Sequence, residues 1–378
     1  MTSLAPLGLG LLSLLLTVAL VPLVRRWARR VGLLDDPAAG AYKTHRDTVP
    51  YGGGLAIFTG AALPLAAGFA YVAVSRWDFV YFQGQWADLW APVSLYPGLG
   101  LRLTLRQLSQ IACLAAGGTA MFLVGLIDDW RGLGALPRLA AQLAVAVATV
   151  AAVPQMHLVG AGPGVVSATV TAIWIVAFTN AFNFLDNMNG LAGGLAVVVL
   201  SLAGGVAALL GHLPAAVLCL TLVGACGGFL VYNFPRASIF MGDAGGLLLG
   251  FTAGALTSLL SNLTAAATGD GAHRFAPLVI LALPAYDLVT VVATRLYCGR
   301  PPWLGDTNHI SHRLVRLGLS RRGAVLVIYA LALTVAATGL LALFLPPPLA
   351  WLPLASSAIW LAALGCLDAW GARRRSHA

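Results

Sequence analysis

Eleven apolar stretches divide this 378-residue chain, near residues 4–24, 53–74, 107–127, 138–153, 164–179, 191–210, 214–232, 244–261, 275–297, 324–345 and 349–367. Each has, or nearly has, the ~20 residues that an α-helix needs to cross a hydrocarbon core ~30 Å thick. Lipid offers the backbone no hydrogen-bonding partner, so such segments must satisfy their own N–H and C=O groups as helices. Composition agrees: 59% of residues are hydrophobic and 9% charged, whereas a soluble domain is roughly 45 to 50% apolar. The expected fold is therefore an all-α integral membrane protein, a polytopic bundle of about 10–11 transmembrane helices. It is read as a single domain over 1–378, with polar loops near 25–52, 128–138, 180–190, 233–246 and 298–322. The stretches at 138–153 and 164–179 are short enough to be tilted or broken. The first stretch is followed by "RRWARR" with no small-residue cleavage site, which reads as a retained span.

The basic residues set the orientation. Arg25, Arg26, Arg29, Arg30, Lys43, Arg46, Arg131, Arg138, Arg236, Arg295, Arg300, Arg313, Arg316, Arg321, Arg322 and Arg373 to Arg375 fall on one side of the spans. Only Arg76, Arg102, Arg106 and Arg274 fall on the other. The rich side is expected to be cytoplasmic, with the N-terminus outside and the C-terminus inside a multi-pass protein of the cytoplasmic (inner) membrane. The net charge of +9 then expresses topology and attraction to anionic lipid headgroups, and nothing else supports a nucleic-acid partner. The five cysteines show no paired spacing, so neither a disulfide framework nor a thiolate metal site is expected.

All thirteen acidic residues are aspartates, and four loops bring Asp or His to the expected cytoplasmic face: "GLIDDW" (125–130), "NAFNFLDNMNGLAGG" (180–194), "YNFPRASIFMGDAGG" (232–246) and "GDTNHISHRL" (305–314). One aspartate at a membrane edge is ordinarily a solvated helix end; four such segments with interspersed glycines point to a site. Asp oxygens suit Mg²⁺, which takes one or two protein carboxylates together with substrate phosphates. His and Arg neutralise phosphate oxygens as charge develops. There is no P-loop and no dinucleotide fingerprint. Asn183, Asp186 and Asn189, three residues apart, would share one face of a helix end, whereas Asn180 and Asn187 read at least equally well as caps of helix-end carbonyls.

These segments, in this order, resemble the polyprenyl-phosphate N-acetylhexosamine-1-phosphate transferase superfamily, in particular its undecaprenyl-phosphate GlcNAc-1-phosphate branch. The resemblance runs from "KTHRDTVPYGGG" (43–54) to the histidine loop. It implies ten or eleven spans, a cytoplasmic active site, Mg²⁺ or Mn²⁺ as cofactor, a UDP-sugar donor, a polyprenyl phosphate acceptor and a homodimer among membrane lipids. It assigns Asp128 and Asp129 to the lipid phosphate and the metal-bound diphosphate, and Asp243, with Asn183, to the metal. Asp186 and Asn189 join Asn183 in lining the cleft, Asn233 and Phe240 are matched to the uracil, Lys43 to the nucleotide, and His309 and His312 with Arg313 to the pyrophosphate. The chain departs from the family pattern at Asn189, where an aspartate is usual, and at Ser311, where a histidine is usual.

Two other readings stay open on the residues. The peptidoglycan phospho-MurNAc-pentapeptide transferase would share the fold, but "NHISHRL" and the Arg-rich 295–322 segment look more like the N-acetylhexosamine branch. A transporter or flippase would show inverted repeats and acids near the midplane. No repeat is visible, and Asp287 is the one clear mid-span acid, placed to pair with an arginine or anchor a helix.

Overall fold

The computed structural model describes residues 5–35, 48–82, 93–96, 101–158 and 164–376. Among them the chain forms α1 (Ala5–Val31), α2 (Gly53–Phe82), α3 (Leu105–Arg131), α4 (Ala135–Ala152), α5 (Val165–Leu185), α6 (Leu191–Leu209), α7 (Leu213–Asn233), α8 (Asp243–Thr268), α9 (Phe275–Val279), α10 (Ala282–Tyr297), α11 (Ile310–Arg316), α12 (Arg321–Leu340) and α13 (Pro347–Ser376). Ten helices among the described residues are long and apolar enough to cross a membrane. The strands are two short antiparallel pairs, Leu34–Asp35 with Val49–Pro50 and Val93–Tyr96 with Leu101–Leu103. The protein is an all-α, multi-pass membrane protein.

Two sequence expectations about broken spans are corrected. The short stretches at 138–153 and 164–179 are continuous helices of 18 and 21 residues, α4 and α5. The second runs on through polar positions because Asn180 donates to Gln142 Oε1 at 2.6 Å and to the Val176 carbonyl at 2.8 Å, so the extra turn carries its polar groups satisfied. The interrupted span is 275–297, where α9 stops at Val279 and α10 starts at Ala282. Pro284 is the third residue of α10. Its ring would crowd the Ile280 carbonyl of a continuous helix and it has no N–H to give, conditions met only in a first turn.

The core is organised around α8, which is buried along its most apolar window and packs on α2, α3, α5, α6 and α9. Its approach to α5 is made by Gly246, Gly250 and Gly254, four residues apart. A Cβ added at Gly250 would lie 2.4 Å from the Phe178 carbonyl oxygen, and one at Gly246 3.1 Å from the Asn183 Cα. Small residues at this spacing let two membrane helices meet backbone to backbone. The hydroxyls of Thr252, Thr257 and Ser258 stay satisfied inside the bundle by bonding carbonyls of their own helix at 2.8 to 2.9 Å. Outward, α1, α4 and α13 expose Leu7, Leu11, Leu15, Leu139, Leu143, Leu352 and Ile359, the surface expected of helices solvated by lipid.

The chain alternates direction, so the C-terminal ends of α3, α5, α7 and α10 and the N-terminal ends of α2, α4, α6, α8 and α12 gather at one face. That face receives the four polar segments of the sequence.

The packing makes unequal demands on glycine. Gly250→Ala should lower the melting temperature of the detergent-purified protein, with an overpacking cost of ~1 to 3 kcal/mol. Gly205→Ala on α6, where an added Cβ meets nothing within 4 Å, should leave it unchanged or raise it. Equal melting temperatures for the two variants would contradict the close α5–α8 contact.

Candidate active site

The site begins with the N–H groups of a helix start, which have no partner inside their own helix. Gly242, at φ 76°, turns the chain into α8, and Asp129, in the last turn of α3, accepts from the N–H of Asp243 at 2.7 Å and of Ala244 at 3.1 Å. A carboxylate there satisfies two orphan donors and complements the helix dipole. Gly125 allows the approach, because a Cβ on it would lie 2.4 Å from the Asp243 carbonyl oxygen. Asp128 faces another way: its Oδ1 accepts from the Leu133 N–H at 2.6 Å and its Oδ2 meets Arg138 NH1 at 2.6 Å. The same Arg138 nitrogen is 3.1 Å from Asp243 Oδ2, and Asn183 donates to Asp243 Oδ1. Three helices thus bring Asp128, Asp129, Asn183 and Asp243 together, and the Asp243 side chain, 31% exposed against 5% for Asp128, is the more open.

The segment from 186 to 190 closes one wall. Helix α5 ends at Leu185 and Gly190 adopts φ 82°, so Asn183, Asp186 and Asn189 do not continue a single helix face, as their spacing suggested. The helix gives way to an asparagine-rich turn first, and the left-handed Gly190 at its end caps the start of α6. Asp186 faces Asp243 and accepts from the Gly242 N–H. Asn187 donates to the Phe184 carbonyl at 2.8 Å and accepts from Ser311 at 2.6 Å, so the serine in the family's histidine position ties this turn to the histidine loop. Asn189 donates to the Pro235 carbonyl at 3.4 Å. Asn233 is buried with both ends of its amide engaged, accepting from the Gly190 N–H at 2.6 Å and donating to the Ile239 carbonyl at 2.9 Å. The Phe240 backbone bonds Pro50 and Gly53, and its ring lies 6.2 Å from that of Tyr51.

The histidine loop is anchored on α10. Asp287, 1% exposed, accepts from His309 Nδ1 and from the Ile310 N–H, each at 2.7 Å, and lies 3.7 Å from Arg313. The other His309 nitrogen is 3.4 Å from Arg295, whose buried guanidinium also holds Asp306 at 3.0 Å and stacks over Phe184. Arg295 holds the Asp306 carboxyl below its usual range, against the desolvation that raises it. Both His309 nitrogens are therefore committed to protein partners. His312 is half-buried, its pKa lowered to about 4 by burial first and then by His309, Arg316 and Arg321.

The structure thus gathers Asp128, Asp129, Asn183, Asp186 and Asp243 in one polar cluster. It sets Asn189 and Phe240 in the adjoining loops and Asn233 at the end of α7, and it puts His309 at the cap of α11 with His312 and Arg313 inside that helix, which is fastened to α10. Lys43 lies outside the described residues. Sequence reasoning missed Arg138 and Arg295, which it counted only as topological charges; the signal available was a basic residue ten positions after Asp128, at the start of the next span.

The Mg²⁺ implied by the resemblance fits this donor set. Asp128 Oδ2 and Asp243 Oδ2, two hard oxygens from different helices, both meet one Arg138 nitrogen, at 2.6 and 3.1 Å, and so lie near enough to share a cation in its place. Among the described residues no group of three His, Cys or Asp side chains could hold a metal alone; Mg²⁺ takes one or two carboxylates and would complete its shell with phosphate and water.

Burial first, and the Asp243 carboxylate second, push the Asp186 carboxyl up to about 7. An unfolded Asp titrates near ~4, so between ~4 and ~7 the unfolded chain binds fewer protons and the fold weakens as pH rises. In EDTA, Asp186→Asn should melt above the wild type at ~pH 8, the gap closing toward ~pH 4. A gap of constant size would show ordinary ionisation.

The sequence model described as glycosyl transferase family 4 matches residues 111–261, from α3 through most of α8. The chain is similar to a probable undecaprenyl-phosphate N-acetylglucosaminyl 1-phosphate transferase of Bacillus subtilis, 30% identical over 84% of this chain and 80% of the relative. It is 32% identical to the decaprenyl-phosphate N-acetylglucosaminephosphotransferase of Mycolicibacterium smegmatis over 85% of this chain and 78% of the relative. A third relative, the undecaprenyl-phosphate alpha-N-acetylglucosaminyl 1-phosphate transferase of Escherichia coli K12, is 27% identical over 87% and 81%. With a match of this extent to membrane enzymes, laid over helices that meet at one aspartate cluster, the chain belongs to glycosyl transferase family 4.

Proposed function

We propose that this protein transfers a sugar 1-phosphate, N-acetylglucosamine 1-phosphate, from a UDP-sugar to a polyprenyl phosphate in the cytoplasmic membrane. An oxygen of the polyprenyl phosphate attacks the sugar-bearing β-phosphorus, the bond to the bridging oxygen breaks, and UMP leaves with that oxygen. One phosphoanhydride replaces another, so the equilibrium lies near unity and UMP drives the reverse reaction. The observation that carries the reading is the Asp128–Arg138–Asp243 cluster at the mouth of the bundle, in a chain whose relatives are named for this transfer.

Mg²⁺ held by Asp243 and Asp128 would act as Lewis acid and template for the diphosphate. The protein's own share is placement and charge. Asp129 fixes the start of α8 and so aims Asp243. Asn183 orients the Asp243 carboxylate. His312 and Arg313 stand on α11, whose start Asp287 anchors, and would supply positive charge and donors to the diphosphate. A phosphate monoester is largely dianionic at neutral pH, so proton abstraction is a minor need. The basic residues favour a site open to the cytoplasm, with the N-terminus outside, and the family resemblance favours a homodimer.

Membranes carrying the protein, given radiolabelled UDP-sugars, undecaprenyl phosphate and Mg²⁺, should move label from UDP-GlcNAc into the lipid phase, and added UMP should return it. Asp243→Asn should cost at least ~10²-fold in turnover. Label from no UDP-sugar would overturn the proposal.

A further inference from the structure

Arg138 is engaged by two carboxylates at once: one terminal nitrogen reaches Asp128 Oδ2 at 2.6 Å and Asp243 Oδ2 at 3.1 Å. The neighbouring oxygens have other donors. Asp128 Oδ1 takes the Leu133 N–H, Asp243 Oδ1 takes Asn183, and Asp129 spends both of its oxygens on the start of α8. Among the described residues, every ion pair to this group of carboxylates comes from Arg138. The guanidinium therefore stands on the two oxygens that a divalent cation would share.

We propose that Arg138 is an exchangeable counter-ion: it competes with the divalent cation for Asp128 and Asp243, and on losing them swings to the phosphate of the lipid acceptor. The second half rests on the transfer reaction proposed above. Buried carboxylates without a counter-charge are costly, and a single positive charge relieves that cost in part. A doubly charged ion on the same oxygens relieves it further and repels the guanidinium beside it. Arginine suits the next position, because its planar fork matches the oxygens of a phosphate. Arg138 is well placed to move. It lies in the first turn of α4, a helix on the lipid-facing rim, whereas Asp243 opens the enclosed α8.

The test uses the full chain in detergent and Mn²⁺ as the probe, with free Mn²⁺ read by electron paramagnetic resonance. R138Q removes the competing charge and should bind Mn²⁺ at least ~10-fold more tightly than the wild type. R138K, which keeps the charge, should stay near the wild type. Divalent cation should also raise the melting temperature of R138Q more than that of the wild type, and an R138Q protein that folds only with Mg²⁺ present would show the same competition. Mn²⁺ affinity in R138Q equal to or weaker than wild type, or failure to fold even in saturating Mg²⁺, overturns the exchange. For the second half, R138K should raise the KM for polyprenyl phosphate several-fold and leave that for the UDP-sugar unchanged; the opposite split overturns the handover. The outcomes separate from those of the parent reading. A wild type that transfers label, with no tighter Mn²⁺ binding in R138Q, removes this inference alone. Tighter binding with no transfer from any UDP-sugar removes the reaction and leaves the cation competition standing.

Discussion

The carboxylate of Asp129 on the first two N–H groups of α8 is the contact on which the site's geometry depends. Helix α8 is enclosed by the bundle, so the donors at its start have little access to water and need a fixed acceptor. Asp129 supplies it from α3, and the same contact sets where Asp243 stands relative to Asp128 one residue away. The glycines follow from this requirement. Gly125 lets α3 come close, Gly242 turns the chain with φ 76°, and Gly54 and Gly245 let the start of α2 pass against α8. The loop before α8 is held in turn by backbone bonds from Gly53 and Gly54 to the carbonyls of Phe240 and Met241.

Around that contact the protein concentrates like charge. Asp128, Asp129, Asp186 and Asp243 come from three helix ends and stand close to one another. Neutral donors share the task of holding them: Asn183, the Leu133 amide and the Gly242 amide. The histidine loop solves a similar problem by another route, with Asp287 and Asp306 each matched to a cation or an imidazole. One cluster is thus charge-balanced inside the protein, and the other keeps a surplus of negative charge facing the place where a cation and phosphates would meet.

Much of this was legible in the sequence. Apolar runs report helices because the bilayer admits little else, and the four polar segments do converge on one face. The parts that were not legible depend on contacts between distant segments. A mid-span aspartate does not announce that it will hold His309 and Ile310, and an arginine opening a span looks like a topology charge until Asp128 and Asp243 are seen on either side of it. The three-residue spacing of Asn183, Asp186 and Asn189 misled because periodicity assumes that the helix continues, whereas α5 stops at Leu185 and a turn leads into α6. The break at 280–281 is marked in the sequence by Pro284, within an apolar run whose length alone suits one continuous span.

The glycine seam between α5 and α8 has a consequence for how such a sequence can drift. Where two helices touch through main chain, there is no side chain whose loss a neighbour could fill, so compensating pairs of substitutions are scarce. Along the outward faces of α1 and α13 the neighbour is fluid lipid, and one apolar side chain can replace another with little effect. Divergence among proteins of this architecture should therefore collect at the rim, and the middle of the bundle should hold its small residues long after the outer helices have lost any trace of common wording.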